Sequence, residues 1–117
     1  METIVSTKDI VFEFIDALNN NEFDIARQHL ADDVKFTGVL GKRDDADNYI
    51  ADMEKMKFKY AIKKAFAEGD DVCLWYDINM SGLQVPTCGL YNLKDDKIRS
   101  INVLFDPRPV LEKSDKK

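Results

Sequence analysis

Few side chains of this sequence have the types and spacing that nucleophilic or acid–base catalysis needs. His29 is the single histidine, and its surroundings, RQHLADD, do not resemble a nucleophile elbow. The candidates for an acid–base pair are Asp77, Asp106, His29 and Lys64. Each candidate also has a simpler role. Asp77 would be an interface or solvent residue on an outer strand face, and His29 would be exposed on a helix. Asp106 would pair locally with Arg108, and the aliphatic stem of Lys64 would lie on an apolar surface.

The residues that could bind a metal ion are equally sparse. Cys73 and Cys88 are the only cysteines, and structural zinc requires four ligands, so we expect reduced thiols, with a disulfide between them as the alternative. Asp44, Asp45 and Asp47 could suggest a hard cation. Carboxylates at the start of a helix are explained more simply by the helix dipole. We therefore expect neither a metal site nor a cofactor.

The length and composition describe one folded domain. The chain has 117 residues, of which 44% are hydrophobic and 33% charged, enough apolar residues for a core. A net charge of −5 without a long basic run argues against nucleic-acid and anionic-membrane partners. No apolar run is long enough to span a membrane, and the start METIVSTKD lacks the features of a secretory signal. A cytoplasmic location is the default expectation.

Helical spacing of apolar residues dominates the first half of the chain. The clearest pattern predicts a helix over residues 8–20, in which Phe14 and Leu18 fall on one apolar face. Further helices are predicted over residues 22–30 and 44–56.

The second half alternates with a period of two residues, which is typical of strands with one buried face. Strands are predicted over residues 34–39, 59–68, 72–80, 86–93 and 98–105. Short turns join the last four of them, so these four should pair as an antiparallel meander. The prolines at positions 107 and 109 should end the meander, since proline cannot continue a central ladder.

The predicted order is α-α-β-α-β-β-β-β, an α+β fold whose helices precede a curved antiparallel sheet. Residues 1–111 should form the single domain. The charged residues 112–117 should form a frayed tail.

Two segments resemble the nuclear-transport-factor-2-like superfamily, which includes ketosteroid isomerases and SnoaL-like polyketide cyclases. They are FIDALNNNEFDIARQHLADDVKFTGVLG (14–41) and KIRSINVLFDPRPVL (97–111). The resemblance covers nearly the whole chain. It implies a cone, in which a bent sheet wraps around a long N-terminal helix and leaves a pocket open at one end. It also implies a homodimer formed through the outer face of the sheet.

If the fold is this cone, the two periods predict which side chains face the pocket. They are mostly apolar or aromatic and include three phenols, which suits a small, mostly apolar ligand with one or two oxygens. The predicted pocket residues are Phe14, Leu18, Phe36, Gly38, Tyr49, Met53, Leu74, Tyr76, Ile78, Gly89, Tyr91, Ile101, Val103 and Phe105. The alternative is that these residues fill a small core and leave no cavity.

The resemblance also allows steroid-isomerase chemistry to be tested against single residues. That chemistry needs a carboxylate base on the first strand, a tyrosine on the first helix and a protonated carboxylic acid in the sheet. The corresponding positions are Gly38, Phe14 and about Gly89. All three groups are missing, so ketosteroid isomerase activity is not expected.

Two hypotheses of different classes remain. In the first, the domain binds a small apolar molecule in its pocket, as a carrier or as an enzyme of isomerase, cyclase or dehydratase type. In the second, it is a non-catalytic module that dimerises or binds another protein through the outer sheet face. Trp75, Asp77 and Leu90 are the predicted interface residues, because a Trp and a Leu on an otherwise polar face suggest a covered surface.

Overall fold

Four helices and six strands make up the computed structural model, which describes the backbone of residues 6–115 and the side chains of residues 6–112. In chain order the elements are α1 (Thr7–Asn19), α2 (Phe23–Gln28), β1 (Leu30–Thr37), β2 (Lys42–Arg43), α3 (Ala46–Met56), β3 (Lys59–Glu68), β4 (Asp71–Met80), β5 (Leu83–Lys94), β6 (Lys97–Phe105) and α4 (Arg108–Asp115).

Helix α1 supplies the centre of the core. It begins where the Ser6 hydroxyl accepts a hydrogen bond from the Asp9 amide, a typical N-cap. Its apolar residues lie on one side and are buried, as the helical spacing predicts. Phe14 is fully buried, and its ring lies 6.4 Å from those of both Tyr49 and Tyr91. One side chain therefore joins α1 to α3 and to the sheet.

The six strands form one sheet in the order β2-β1-β6-β5-β4-β3. Strands β3 to β6 pair antiparallel through short turns, as the sequence predicts. The α+β cone is confirmed, but the sheet is not purely antiparallel, because β1 pairs parallel to β6. The long connection between these two strands permits that arrangement, since parallel strands cannot be joined by a tight hairpin.

A β-bulge in β3 changes which of its side chains face the core. Ile62 of β3 pairs with Tyr76 of β4, and Lys64 pairs with Trp75, the residue next to Tyr76. Lys63 between them has no partner on β4 and is therefore the extra residue of the bulge. Beyond the bulge Lys64 lies on the outer face. Strict alternation predicts that Lys64 shares a face with both Ile62 and Phe66. It does so with Phe66 but not with Ile62, because the bulge lies between Ile62 and Lys64.

The start of β1, the short strand β2 and the segment after β6 also differ from the sequence predictions. Strand β1 starts at Leu30 rather than at residue 34, and β2 was not predicted. The prolines do end β6, but they also lie at the start of α4, where proline is tolerated because the first helical amides have no partner.

Helix α4 includes residues 112–115 of the predicted tail, and the fraying of that tail stays a prediction. Residues 116–117 of the predicted tail and residues 1–5 of the predicted domain lie outside the described part of the chain. Among the described residues, no helix is long and apolar enough to cross a membrane.

The central place of Phe14 gives a first prediction. Phe14→Ala should lower the free energy of unfolding by about 3–5 kcal/mol, the usual cost of removing a buried phenyl ring. Leu111→Ala is the control, since Leu111 on α4 is 47% exposed and its truncation should change the value by less than about 0.5 kcal/mol. Urea denaturation measures both. Equal losses would contradict the assignment of Phe14 to the core.

Candidate functional site

A cavity of about 260 Å³ opens at one end of the cone. Helix α3 contributes one face to it, because Tyr49, Asp52, Met53 and Met56 follow the spacing i, i+3, i+4, i+7. The concave face of the sheet, the loop between β1 and β2, and α4 complete the lining. The lining is apolar or glycine except for tyrosine hydroxyls and one carboxylate, that of Asp52.

Most of the predicted pocket residues meet at this cavity. The two periods place them on the inner faces of α3, of β1 and of the sheet strands β4 to β6 or, for Gly38, in the loop that follows β1. The predicted residues that line the cavity are Phe36, Gly38, Tyr49, Met53, Tyr76, Ile78, Tyr91, Val103 and Phe105.

The other predicted pocket residues do not line it. Phe14, Leu18, Leu74 and Ile101 are buried in the hydrophobic core, and Gly89 lies beneath tyrosine side chains. Their inward direction follows the predicted period. They lie deeper because α1 packs into the cone and fills its interior there.

The sequence reasoning missed part of the lining. Met56, Tyr60 and Met80 continue predicted helix and strand faces, so periodicity could have identified them. Loop and terminal residues have no periodic signal. The missed lining residues are Val39, Leu40, Gly41, Asp52, Met56, Phe58, Tyr60, Met80 and Val110.

A hydrogen-bonded pair of phenols forms part of the cavity wall. The hydroxyls of Tyr76 on β4 and Tyr91 on β5 lie 2.7 Å apart. Tyr76 is opposite Thr87, two residues from Gly89, and Tyr91 lies two residues beyond Gly89. The two side chains therefore lean towards each other over Gly89. A Cβ atom at Gly89 would lie only 2.3 Å from the Tyr76 hydroxyl, so this contact requires glycine.

These phenols remain neutral at physiological pH. Burial raises the pKa of both Tyr76 and Tyr91, since a phenolate would lose its hydration. Burial also raises the pKa of Tyr60, whose hydroxyl lies 3.5 Å from the Met53 sulfur and donates to it. The Tyr60 and Tyr76 rings meet edge to face with 5.4 Å between centroids. The cluster thus offers hydrogen-bond donors rather than charges.

Tyr49 has a hydroxyl group that makes no hydrogen bond to any residue that the structure describes. Its ring packs 5.1 Å from that of Phe36, and burial raises its pKa. Within the described residues, the Tyr49 hydroxyl has no hydrogen-bond partner. Every side-chain oxygen or nitrogen atom there that is inaccessible to solvent does have one, so the Tyr49 hydroxyl must be accessible. The Tyr49 hydroxyl therefore faces the open space of the cavity, where a bound molecule could accept a hydrogen bond from it.

Asp52 lies one helical turn from Tyr49 and is paired with Arg43 of β2. The Arg43 Nε donates to one carboxylate oxygen at 2.5 Å, and an Nη donates to the other at 3.4 Å. The hydrogen bond to Asp52 raises the pKa of Arg43. Both side chains are partly exposed, 30% for Asp52 and 48% for Arg43, so the ion pair lies at the cavity mouth.

The acid–base candidates of the sequence lie elsewhere. Among the described residues, His29 is half-buried, 3.8 Å from a Glu13 oxygen. Asp106 is bound by Arg108, whose hydrogen bonds lower its pKa to about 2. Lys64 lies on the outer face. None of these lines the cavity, so none can form the proposed pair there.

Asp77 faces outwards as expected but is largely buried, which corrects its interpretation as a solvent residue. The Gln84 amide donates to its carboxylate at 2.7 Å, and the Lys63 ammonium lies 3.2 Å away. These two groups lower its pKa.

The acidic run before α3 has structural partners. The Asp45 carboxylate caps the helix by accepting from the Asn48 amide at 2.7 Å, and Asp47 binds Arg27. In the described part of the chain, no group of three or more potential ligands could hold a metal ion.

The outer face of the sheet carries exposed apolar side chains. Trp75 is 41% and Leu90 42% exposed, and both lie in the middle of the sheet. Phe66 lies opposite Cys73, which lies opposite Leu90, and Leu104 lies opposite Cys88. We call Phe66, Trp75, Leu90 and Leu104 the outer apolar patch.

Comparison with known proteins gives a consistent result. A model of the SnoaL-like domain matches residues 11–101. The chain is 49% identical to an NTF2-like protein of unknown function from Cytophaga hutchinsonii, with a TM-score of 0.92, covering 95% of this chain and 99% of that one.

A LEH-like epoxide hydrolase of M. tuberculosis has the same fold at 22% identity, with a TM-score of 0.78 and coverage of 91% and 86%. An uncharacterized cystatin fold protein from Novosphingobium aromaticivorans has it at 15% identity, with a TM-score of 0.76 and coverage of 84% and 97%. No curated protein matches the chain.

The crowding at Gly89 predicts a mutational coupling. Gly89→Ala should lower the free energy of unfolding by about 1–3 kcal/mol, because the new methyl group displaces the Tyr76 phenol. Gly41→Ala is the matched control, since a Cβ there meets nothing within 4 Å. Tyr76→Phe removes the nearest clashing atom, so Gly89→Ala should cost less in that background. A purely additive double mutant in urea denaturation would contradict the arrangement.

Proposed function

We propose that this chain, which belongs to the SnoaL-like domain family, binds a small, mostly apolar molecule in the cavity of its cone. The observation that supports this most strongly is the Tyr49 hydroxyl, which has no hydrogen-bond partner among the described residues and opens into a mostly apolar cavity. A ligand that accepts this hydrogen bond would complete the site.

Counting hydroxyl protons defines the ligand more closely. The contact between Tyr76 and Tyr91 uses one of their two protons, whichever hydroxyl donates. Tyr60 donates to Met53. One proton of the pair and that of Tyr49 therefore remain for a ligand. Neutral phenol donors favour an acceptor such as a carbonyl or ether oxygen.

The size and charge of the site restrict the ligand further. A volume of about 260 Å³ is slightly below the range of about 300–1,000 Å³ that is typical of sites for drug-sized molecules. No Lys, Arg or His lines the cavity, and the Arg43 guanidinium at the mouth is already paired with Asp52, so the site offers no free cation to an anionic ligand. The site is therefore unsuited to anions, and we propose a small neutral molecule with an acceptor oxygen.

A reaction on this ligand is a second possibility, of the isomerase, cyclase or dehydratase type. Such reactions move a proton, and Asp52 is the carboxylate in the lining that could accept one. On the resemblance to ketosteroid isomerases, their three catalytic groups would correspond to Gly38, Phe14 and about Gly89, and none of these side chains carries a carboxyl or phenol group. A carrier function needs only the binding site. We propose the cytoplasm as the place of action.

A pair of probes of similar shape tests the polar part of the proposal. Acetophenone has a carbonyl where ethylbenzene has a methylene group. Acetophenone should bind roughly tenfold more tightly, which corresponds to about one hydrogen bond. Tyr49→Phe should remove most of that difference, as measured by equilibrium dialysis. Equal affinities of the unmodified protein for both probes would contradict a role for the phenol donors.

A steric pair of variants tests the location. Val103 lines the cavity, whereas its neighbour Leu104 is 66% exposed on the outer face. Val103→Phe should fill the cavity and weaken acetophenone binding by ~10-fold or more. Leu104→Phe adds a ring on the other side of the same strand and should leave binding unchanged. Equal effects would place the probe outside the cavity.

The outer apolar patch supports a second candidate function, homodimerisation. Exposed Trp75 and Leu90 in the middle of a sheet face favour a covered surface, and a second copy of the chain offers the same patch. Asp77 lies beside the patch, but its bonds to Gln84 and Lys63 make it a neighbour rather than an anchor. Without catalysis, this patch would make the protein an assembly module.

Dimerisation predicts a specific response to charge. The wild-type protein should sediment as a dimer at micromolar concentration, and Leu90→Asp should convert it to a monomer, because two-fold symmetry places the new charges near each other. Ile25→Asp is the matched control, since Ile25 on α2 is similarly exposed, 43% against 42%. A wild-type monomer, or dissociation by both variants alike, would contradict the interface.

A further inference from the structure

The two cysteines meet on the outer face of the sheet. Cys73 lies on β4 opposite Leu90, and Cys88 lies on β5 opposite Trp75, so the cysteines are diagonal neighbours on one side of the hairpin. Their sulfur atoms are 3.5 Å apart, and both residues are partly exposed as free thiols. Because the chain has no other cysteine, each thiol has a single intrachain partner.

We propose that Cys73 and Cys88 form a redox-modifiable site, a dithiol that closes to an intrachain disulfide by exchange with a small-molecule disulfide such as oxidised glutathione. This site is separate from the cavity and does not depend on the proposed ligand. Because both thiols lie among the residues of the outer apolar patch, a second copy bound there would cover them, so the exchange proceeds on the dissociated chain.

The exchange balances in two steps. The thiolate of one cysteine attacks a sulfur of the reagent, forms a mixed disulfide and releases one glutathione thiolate. The thiolate of the other cysteine then attacks the protein sulfur of the mixed disulfide, closes the intrachain bond and releases the second glutathione. The protein loses two thiol protons and two electrons. The reagent gains both electrons and ends as two thiols.

The geometry favours a reversible bond over a permanent structural one. The sulfurs must approach by about 1.5 Å from their 3.5 Å separation to reach disulfide length. Diagonal neighbours in a sheet are usually about 7–8 Å apart between Cα atoms, whereas disulfides prefer less than about 6.8 Å. Because the sulfur atoms must move closer together, closing the bond requires the side chains or strands of the hairpin to adjust. Such strained, exposed disulfides are more easily reduced than structural ones.

The local environment controls the rate. Burial, with the neighbouring Cys88 sulfur as a further cause, raises the pKa of the Cys73 thiol. This disfavours Cys73 as the first attacking group at neutral pH. Exchange should accelerate as the pH rises, because the thiolate is the reactive form.

The position of the pair couples it to the outer apolar patch. Cys73 lies between Phe66 and Leu90 in one row of the sheet, and Cys88 lies between Trp75 and Leu104 in the next. Closing the bond would draw these two rows together. Trp75 is the only tryptophan of the chain, so its fluorescence reports on this place alone.

The test uses folded wild-type protein, diluted until it sediments as a monomer, and oxidised glutathione. We expect the intact mass to fall by two hydrogens, Trp75 fluorescence to decrease through quenching by the new disulfide, and both changes to reverse with reduced glutathione. At least one of Cys73→Ser and Cys88→Ser should instead retain one glutathione adduct and keep its fluorescence. A non-reducing gel shows whether any disulfide joins two chains.

Several results would overturn the proposal. These are a folded protein that stays fully reduced while the urea-unfolded chain oxidises, stable adducts on both cysteines of the wild type, or a disulfide between chains. An intrachain bond that forms but resists reduced glutathione would also overturn it, because the site would then be structural.

Discussion

The hydrogen bond between Tyr76 and Tyr91 is the interaction on which the interior of this protein depends. It links two neighbouring strands on the concave face of the sheet, where the low dielectric strengthens it and makes an unpaired hydroxyl costly. It exists only because Gly89, between the two tyrosines, has no side chain. The phenols then occupy space that a larger residue would fill, and both line the cavity.

An empty apolar cavity lowers the free energy of unfolding, and a chain of this size has a small core with little stability to spare. The cavity nevertheless persists beside a core anchored by Phe14. The hairpin loop between β1 and β2, the Arg43–Asp52 pair and α4 lie around its mouth. An interior that is apolar, supplied with neutral donors and open at one end is more consistent with a ligand site than with an imperfectly filled core.

Hydrophobic periodicity in the sequence was enough to predict which side chains of the regular strands and helices face inwards. Alternation along β4, β5 and β6 identified the inward-facing Tyr76, Tyr91 and Val103, and helical spacing identified Tyr49 and Met53. It could not locate the bulge at Lys63, because an inserted residue reverses alternation without a distinctive composition. The parallel pairing of β1 with β6 joins residues far apart in the chain, which local patterns do not encode.

Asp52 illustrates the same limit at the site itself. It lies at the edge of an apolar helical face, where a carboxylate is normally a solvent residue, and only the position of Arg43 and the cavity distinguishes it. The acid–base candidates chosen by residue type, such as His29 and Asp106, have local partners outside the cavity. Residue type identified possible chemistry, but the tertiary structure decided which groups share a site.

The most direct measurement of the central claim is the carbonyl stretching frequency of acetophenone bound to the protein, measured by isotope-edited infrared difference spectroscopy. Hydrogen bonds from the phenols should lower this frequency relative to acetophenone in an alkane, and Tyr49→Phe should return part of the shift. A bound carbonyl that absorbs at the alkane frequency would contradict the account, because the cavity would then hold the ligand without using its donors.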